Sequence, residues 1–302
     1  MKLLTKSVLS LIFIGSVLFL HSCGDDADHE IRTVIGDDKQ SPEVLGKADK
    51  VRKILYSVPS HIEMIRLVKG SGIEFDRKIM NEPNQVANYN SVKSQAFNLG
   101  VYGTDLAYIS IFEQSQEVLN YFSAIKTLAD ELGVSEVIND ENIQRFERNI
   151  ENQDSLIVFI SEIFYSIDET LNENDRGYVS AEVVTGGWIE AMHIMTTNSQ
   201  KMKGENKIAI KGIIADQRHS LDNIIELIKI YDNEDNLGDL LIKLEKLNTL
   251  FEELGIQKEN TTVSKDDKTG KVTIGGEDEI EFSDELLEKI SFEVNSIRNY
   301  YL

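Results

Sequence analysis

Cysteine occurs once in this 302-residue chain, at Cys23, tryptophan once and proline three times. A lone thiol excludes an intramolecular disulfide and any zinc site built on thiolates. So few prolines leave room for long helices, because proline lacks the backbone N–H and clashes with the preceding turn. Positive charge is also short: 31 Lys and Arg stand against 52 Asp and Glu, a net charge of −21. Such a surface repels phosphate backbones, so nucleic acid is not an expected partner, and anionic lipid headgroups would not attract it either. The chain contains no P-loop, dinucleotide fingerprint, G-x-S-x-G or H-E-x-x-H, so no enzyme class, cofactor or metal is indicated. What remains is ordinary for a globular protein, with 41% hydrophobic and 27% charged residues in a length that suits one large or two small domains.

The one cysteine stands where a greasy run ends and an acidic run begins. Residues 1–22, MKLLTKSVLSLIFIGSVLFLHS, place Lys2 and Lys6 before an apolar stretch from Ser7 to Leu20. This is the plan of a secretory leader, too short for a membrane span. At its end stands Leu20-His21-Ser22-Cys23, which resembles a bacterial lipobox: a branched apolar residue, two positions later a small one, then cysteine. His21 departs from the small residue most common at its position. The resemblance implies cleavage before Cys23, diacylglycerol on its thiol and a fatty acyl chain such as palmitate on the new amino terminus. Each buried methylene contributes roughly 0.8 kcal/mol, so two or more chains make attachment durable.

Gly24-Asp25-Asp26-Ala27-Asp28-His29-Glu30 follows. An acidic stretch there is similar to the export signals of Bacteroidota-type surface lipoproteins, while as a bare composition it is a solvated tether. Outer-membrane attachment is the expectation, with the periplasmic face and the cell surface both open. Residues 23–46 read as acylated cysteine plus tether, spanning roughly 25 Å as a coil. Removal of residues 1–22 leaves 29 basic and 52 acidic residues, a net −23.

From residue 47 the dominant period is helical, and residues 47–302 read as one domain. Residues 58–69 open with proline in the first turn. In 91–113, Val92, Ala96, Leu99, Gly103 and Leu106 form a stripe. So do Val118, Phe122, Ile125, Ala129 and Leu132 in 115–132, with Gly133 as a C-cap. Leu156, Ile160, Ile163, Ile167 and Leu171 mark a helix in 154–171, and 179–196, less polar all round, reads as a central one. Ile210, Ile214, Gln217, Leu221, Ile224 and Ile228 follow in 206–231, then Leu240, Leu244, Leu247, Phe251 and Leu254 in 237–254. Around 259–283 short β-branched segments, separated by Lys265–Gly270 and Gly275-Gly276, predict a small β-hairpin or meander. Ser283 then caps a last helix carrying Leu287, Ile290, Val294 and Ile297. The fold class is all-α: a multi-helix bundle with a small β insertion near the C-terminus. The folded part resembles uncharacterised all-helical lipoproteins; the G-x-H-x-x-E motif of helical peptidase-like lipoproteins is absent.

Four features invite chemistry. Gly100 and Gly103 share a helix face, and Gly186-Gly187 precede Trp188. Mid-helix glycine costs roughly 1 kcal/mol against alanine, so these positions imply either close helix–helix packing or a ligand cleft floored by Gly100 and Gly103 and walled by Tyr102, Tyr108, Trp188 and Glu190. Glu190 with His193, and Asp216 with His219, have the carboxylate-x-x-His spacing of di-iron bundles. His219, however, lies about 200° around the helix from the Gln217 stripe and is expected in solvent. Residues 172–183 resemble a degenerate EF-hand loop, with Asn172, Asn174 and Gly177 in place. Arg176 sits at a liganding position, and the closing acid, Glu182, is one place early with Val183 after it, so a connecting turn is the expectation. The expected role is that of a lipid-anchored accessory subunit or binding module with an envelope protein partner. The second reading is a small-ligand-binding lipoprotein using the glycine cleft.

Overall fold

The computed structural model describes residues 42–235, 237–257, 262–265, 272–275 and 279–302. The leader, Cys23 and the tether up to residue 41 lie outside the described residues. Ten α-helices run through the described chain: α1 Pro42–Ser57, α2 His61–Gly70, α3 Val92–Ile111, α4 Ser115–Glu131, α5 Asp140–Asn149, α6 Gln153–Glu173, α7 Gly177–Ser199, α8 Gly204–Asp235, α9 Gly238–Glu252 and α10 Asp284–Tyr301. The chain is an all-α bundle.

The sequence stripes are buried as their spacing requires. Val118, Phe122, Ile125, Ala129 and Leu132 are buried along α4 and the residue after it; the stripes of α6, α8, α9 and α10 are buried likewise. Gly133 takes a left-handed φ of 69° directly after α4, the position where glycine ends a helix without side-chain strain. Ser283 caps α10 by accepting from the Leu286 N–H at 3.1 Å.

Several boundaries move. α1 begins at Pro42, so the last residues assigned to the tether are helical; proline's missing N–H costs nothing in a first turn. In α2, Pro59 lies before the helix rather than in its first turn. Ser60 is the N-cap, joined with Glu63 in a reciprocal capping box, which fixes the helix start at His61, two residues beyond the proline. α3 is no simple stripe: residues 95–111 are all buried while Val92 is exposed. Helix α5 carries too few apolar residues to form a stripe. It is set by Asn139, whose side chain accepts from the Asn142 N–H at 3.0 Å, and by Phe146, which stacks on Phe122 with ring centroids 3.7 Å apart.

Between α9 and α10 the described residues form two antiparallel pairs. β1 (Gly255–Gln257) pairs with β4 (Glu279–Glu281) in the register Ile256 to Ile280. β2 (Thr262–Lys265) pairs with β3 (Val272–Gly275) in the register Val263 to Ile274. The pairing is nested, first strand with last and second with third, rather than sequential as in a meander. Gly255, which follows the α9 stripe directly, is the first residue of β1.

α3 and α7 are the central pair, buried almost throughout. A methyl group built on Gly100 would overlap the Val183 carbonyl of α7, and one on Gly186 would overlap the Phe97 carbonyl of α3. The two backbones therefore touch, and glycine is required on both sides. Thr104 adds a hydroxyl bond across the contact, donating to the Gly187 carbonyl at 3.0 Å.

Gly100→Ala or Gly186→Ala is therefore expected to destabilise the fold by about 3 kcal/mol or more, since backbone cannot yield as a side chain does. Gly212→Ala, in α8 with nothing within 4 Å of the new methyl, should stabilise by up to about 1 kcal/mol. Urea unfolding of the three variants checks this, and equal effects at Gly100 and Gly212 would contradict the close approach.

Candidate functional site

The glycine cleft is closed by packing. Gly100 is covered by the α7 backbone and Gly103 by the Phe164 ring, so the two glycines admit different neighbours instead of flooring one cavity. Trp188 is 2% exposed, and its indole N–H donates to Gln217 Oε1 at 3.3 Å. That bond accounts for the one polar residue in the α8 stripe. Tyr102 is buried and donates to the Glu82 carbonyl at 2.8 Å. Tyr108 accepts from the Asp76 N–H at 3.0 Å and lies 3.2 Å from the Glu74 carbonyl, to which it donates. Both tyrosines hold down the irregular segment 73–90 rather than wall an open pocket.

Glu190 is the exception that leads to chemistry. It is fully buried on α7 and takes a two-pronged ion pair from Arg298 of α10, the guanidinium Nε meeting Oε2 and Nη2 lying 3.0 Å from Oε1. Such fork-to-fork pairs fix geometry as well as charge. A second carboxylate, Asp105 of α3, lies within hydrogen-bonding reach of Glu190. Asp105 Oδ2 accepts from the Asn81 N–H at 3.0 Å, and Oδ1 has no hydrogen-bond donor. The Asn81 amide donates to the Tyr89 hydroxyl at 2.8 Å, and the Asn81 carbonyl accepts from Tyr121 of α4 at 2.7 Å. Asp105, Glu190 and Arg298, drawn from three helices, thus meet under a strap running from residue 73 to 90.

Burial, and then the charge of Glu190, push the Asp105 carboxyl well above the usual carboxylate range, against the opposing pull of Arg298 and the Asn81 N–H. Burial opposes the charge on Arg298, but Glu190, by charge and hydrogen bond, more than offsets it and holds the guanidinium above its ordinary value. Burial likewise keeps the Tyr102 and Tyr121 hydroxyls protonated far above the ordinary tyrosine value, so they remain donors.

His193 sits one turn beyond Glu190. Its Nε2 lies 2.9 Å from the Ile79 carbonyl and its Nδ1 lies 2.7 Å from Asn295 Oδ1. Burial holds the imidazole below its usual range, with Glu190 opposing and Arg298 reinforcing. The neutral ring donates from Nε2 to Ile79, and Nδ1 accepts, from the Thr197 hydroxyl at 3.4 Å or from the Asn295 amide turned to face it.

The di-iron pattern does not assemble: Asp216 and His219 are exposed on α8, and no group of three His, Cys, Asp or Glu suited to a metal occurs among the described residues. In the EF-hand-like segment Arg176 donates to the Leu132 carbonyl at 2.6 Å, closing the end of α4, and Asp175 takes a left-handed φ of 57°. That is turn chemistry, as expected. Two open surface clefts lie elsewhere. One of about 380 Å³ is lined by Arg66, Lys69 and Gln153, and one of about 390 Å³ by Arg77, Asn84 and Asn120.

Asp105 and Arg298 were not singled out from sequence. Their signal was present: Asp105 is the only charged residue between Ser94 and Phe112, and Arg298 interrupts the buried face of α10. A lone charge inside an apolar helix demands a partner, but the sequence does not say which.

Arg298→Met would strand Glu190 in the interior and is expected to cost about 3–5 kcal/mol, with the double variant Arg298→Met/Glu190→Met recovering most of the loss. A double-mutant cycle of urea midpoints measures it, and additive losses would refute the pairing. No protein-family model matches the chain, and neither a curated protein nor a solved structure matches it.

Proposed function

We propose that this chain is a lipid-anchored envelope protein, held in the outer membrane through acylated Cys23, that acts as an accessory subunit or binding module of an envelope assembly. The observation that carries the reading is the placement of the single cysteine directly after a leader-like run and directly before an acidic one. Among the described residues no helix is long and apolar enough to cross a membrane.

Binding of a protein rather than a small molecule is favoured by the interior. The residues considered for a ligand cleft are spent on helix contacts and internal hydrogen bonds, which leaves recognition to the surface. Phe292, Ile208 and Ile242, 72%, 71% and 66% exposed, are the most exposed large apolar side chains among the described residues. They lie on α10, α8 and α9 in turn. The nested strands between α9 and α10 form a small β insertion near the C-terminus. A net charge of −23 after cleavage suits a partner with a basic surface and a membrane attachment that does not depend on anionic headgroups.

Cys23→Ser should abolish incorporation of labelled palmitate, leave the leader uncut and release no mature protein to the outer-membrane fraction. Normal processing and membrane retention of that variant would overturn the anchor. Affinity purification of the acylated protein from membranes is expected to bring along a stoichiometric envelope protein, whereas recovery of the chain alone would count against the subunit role.

A further inference from the structure

The buried cluster contains one carboxyl group more than its cations can serve. Asp105 and Glu190 lie within hydrogen-bonding reach of each other, and Arg298 is the guanidinium that pairs there, with both prongs on Glu190. Asp105 is 0% exposed, and its Oδ1 meets no donor. An ionised carboxylate in that position would be a buried charge with one of its two oxygens unsatisfied and a like charge beside it, the costliest arrangement a protein interior offers. A proton on Oδ1 removes all three penalties at once. It cancels the charge, turns the orphaned acceptor into a donor and supplies the hydrogen that two facing carboxyl groups otherwise lack.

The surroundings agree. The groups acting on Asp105 are Glu190 from α7, Arg298 from α10, Tyr121 from α4, the Asn81 N–H from the strap, and Tyr102 and Tyr108 from its own helix; His193 and Tyr89 stand one step further out, against Glu190 and Arg298. Tyr102, Tyr108 and Tyr121 are kept neutral by burial. His193, the other place for an extra proton, donates one N–H to Ile79 and lies where burial disfavours the cation. With Asp105 neutral, Glu190 negative and Arg298 positive, the cluster carries no net charge.

We propose that Asp105 is a resident un-ionised carboxylic acid, its Oδ1–H donating to Glu190, and that this proton makes the α3–α7–α10 core a lock that loosens as pH rises. In the unfolded chain Asp105 has its ordinary value near 3.8, and the folded value is higher. The stabilisation is therefore complete below the unfolded value and is lost as pH rises through the folded one. Within that window the folded state holds one proton more than the unfolded, so the unfolding constant rises by up to tenfold per pH unit through this group. Asp168, also raised by burial, contributes a slope of the same sign, so the comparison must be made between variants.

Infrared spectra of protein labelled with ¹³C at aspartate side-chain carboxyls, recorded at pH 7, test the proposal. The wild type should show an un-ionised carboxyl C=O stretch that Asp105→Asn removes and Asp168→Asn does not. Glu190→Gln should remove it with Asp105 still in place, because a single carboxylate opposite Arg298 ionises to pair with it. In urea unfolding followed upward from pH 4, Asp105→Asn, whose amide donates where the acid does, should lose up to a tenfold-per-unit dependence that the wild type retains between the unfolded and the folded value. Should Asp105→Asn fail to fold, the wild-type and Glu190→Gln spectra decide. An ionised Asp105 in the wild type, or a wild-type His193 found by ¹⁵N NMR to be protonated on both ring nitrogens, would overturn the proposal, as would identical pH dependence in wild type and Asp105→Asn. None of these outcomes bears on the lipid anchor.

Discussion

Two helices meet backbone to backbone at the centre of this protein, and the rest of the arrangement is conditional on that contact. Gly100 against Val183 and Gly186 against Phe97 bring α3 and α7 closer than any side chain would allow. At this distance Thr104 reaches across to the Gly187 carbonyl, and the carboxyl groups of Asp105 and Glu190, one on each helix, fall within reach of one another. A pair of alanines would separate the helices by the thickness of a methyl group, and the interior would have to be refilled. Interiors are packed to crystal-like density, so such a gap is not absorbed silently.

The same approach explains why the core tolerates charge. Burying an ion pair costs desolvation that its mutual attraction does not always return, and Glu190–Arg298 is buried on both sides. The pair is directional, however. Arg298 reaches both oxygens of Glu190 only if α10 docks in one register, and His193 reaches Asn295 on that helix only in the same register. The strap from 73 to 90 is tied down by donors and acceptors of fixed direction: Tyr102, Tyr108, Tyr121, Asp105 and His193 each take one of its backbone or amide groups. Apolar packing alone would hold an irregular segment against the bundle without choosing its register. The polar contacts select one arrangement, while the surrounding aliphatic residues supply most of the driving force.

On the function proposed here, chemistry and address are separate. The acidic surface and the acylated cysteine would place the chain at a membrane through hydrocarbon rather than through charge, and the interior polar cluster would serve the fold that is so placed. Sealing polar groups inside, under a strap, is what a rigid binding module requires.

Sequence alone determined the helical class and most helix faces. The stripes of α4, α6, α8, α9 and α10 bury the residues that their spacing marks, because a helix in water must turn its apolar face inward. It also marked Gly100 and Gly186 as sites of close approach or of a cleft, and His219 as exposed. Short polar pieces were less legible: α5 depends on the Asn139 cap and one phenylalanine, and the start of α1 on a proline that a tether also accommodates. Which reading of the glycines holds, and which carboxylate meets which cation, only the tertiary structure decided. Periodicity reports which way a residue faces on its own helix. The identity of the facing residue depends on how three helices distant in sequence are brought together. Asp105, Glu190 and Arg298 each stand out only as a charge in an apolar setting, and they become a single electrostatic unit only once α3, α7 and α10 share one core.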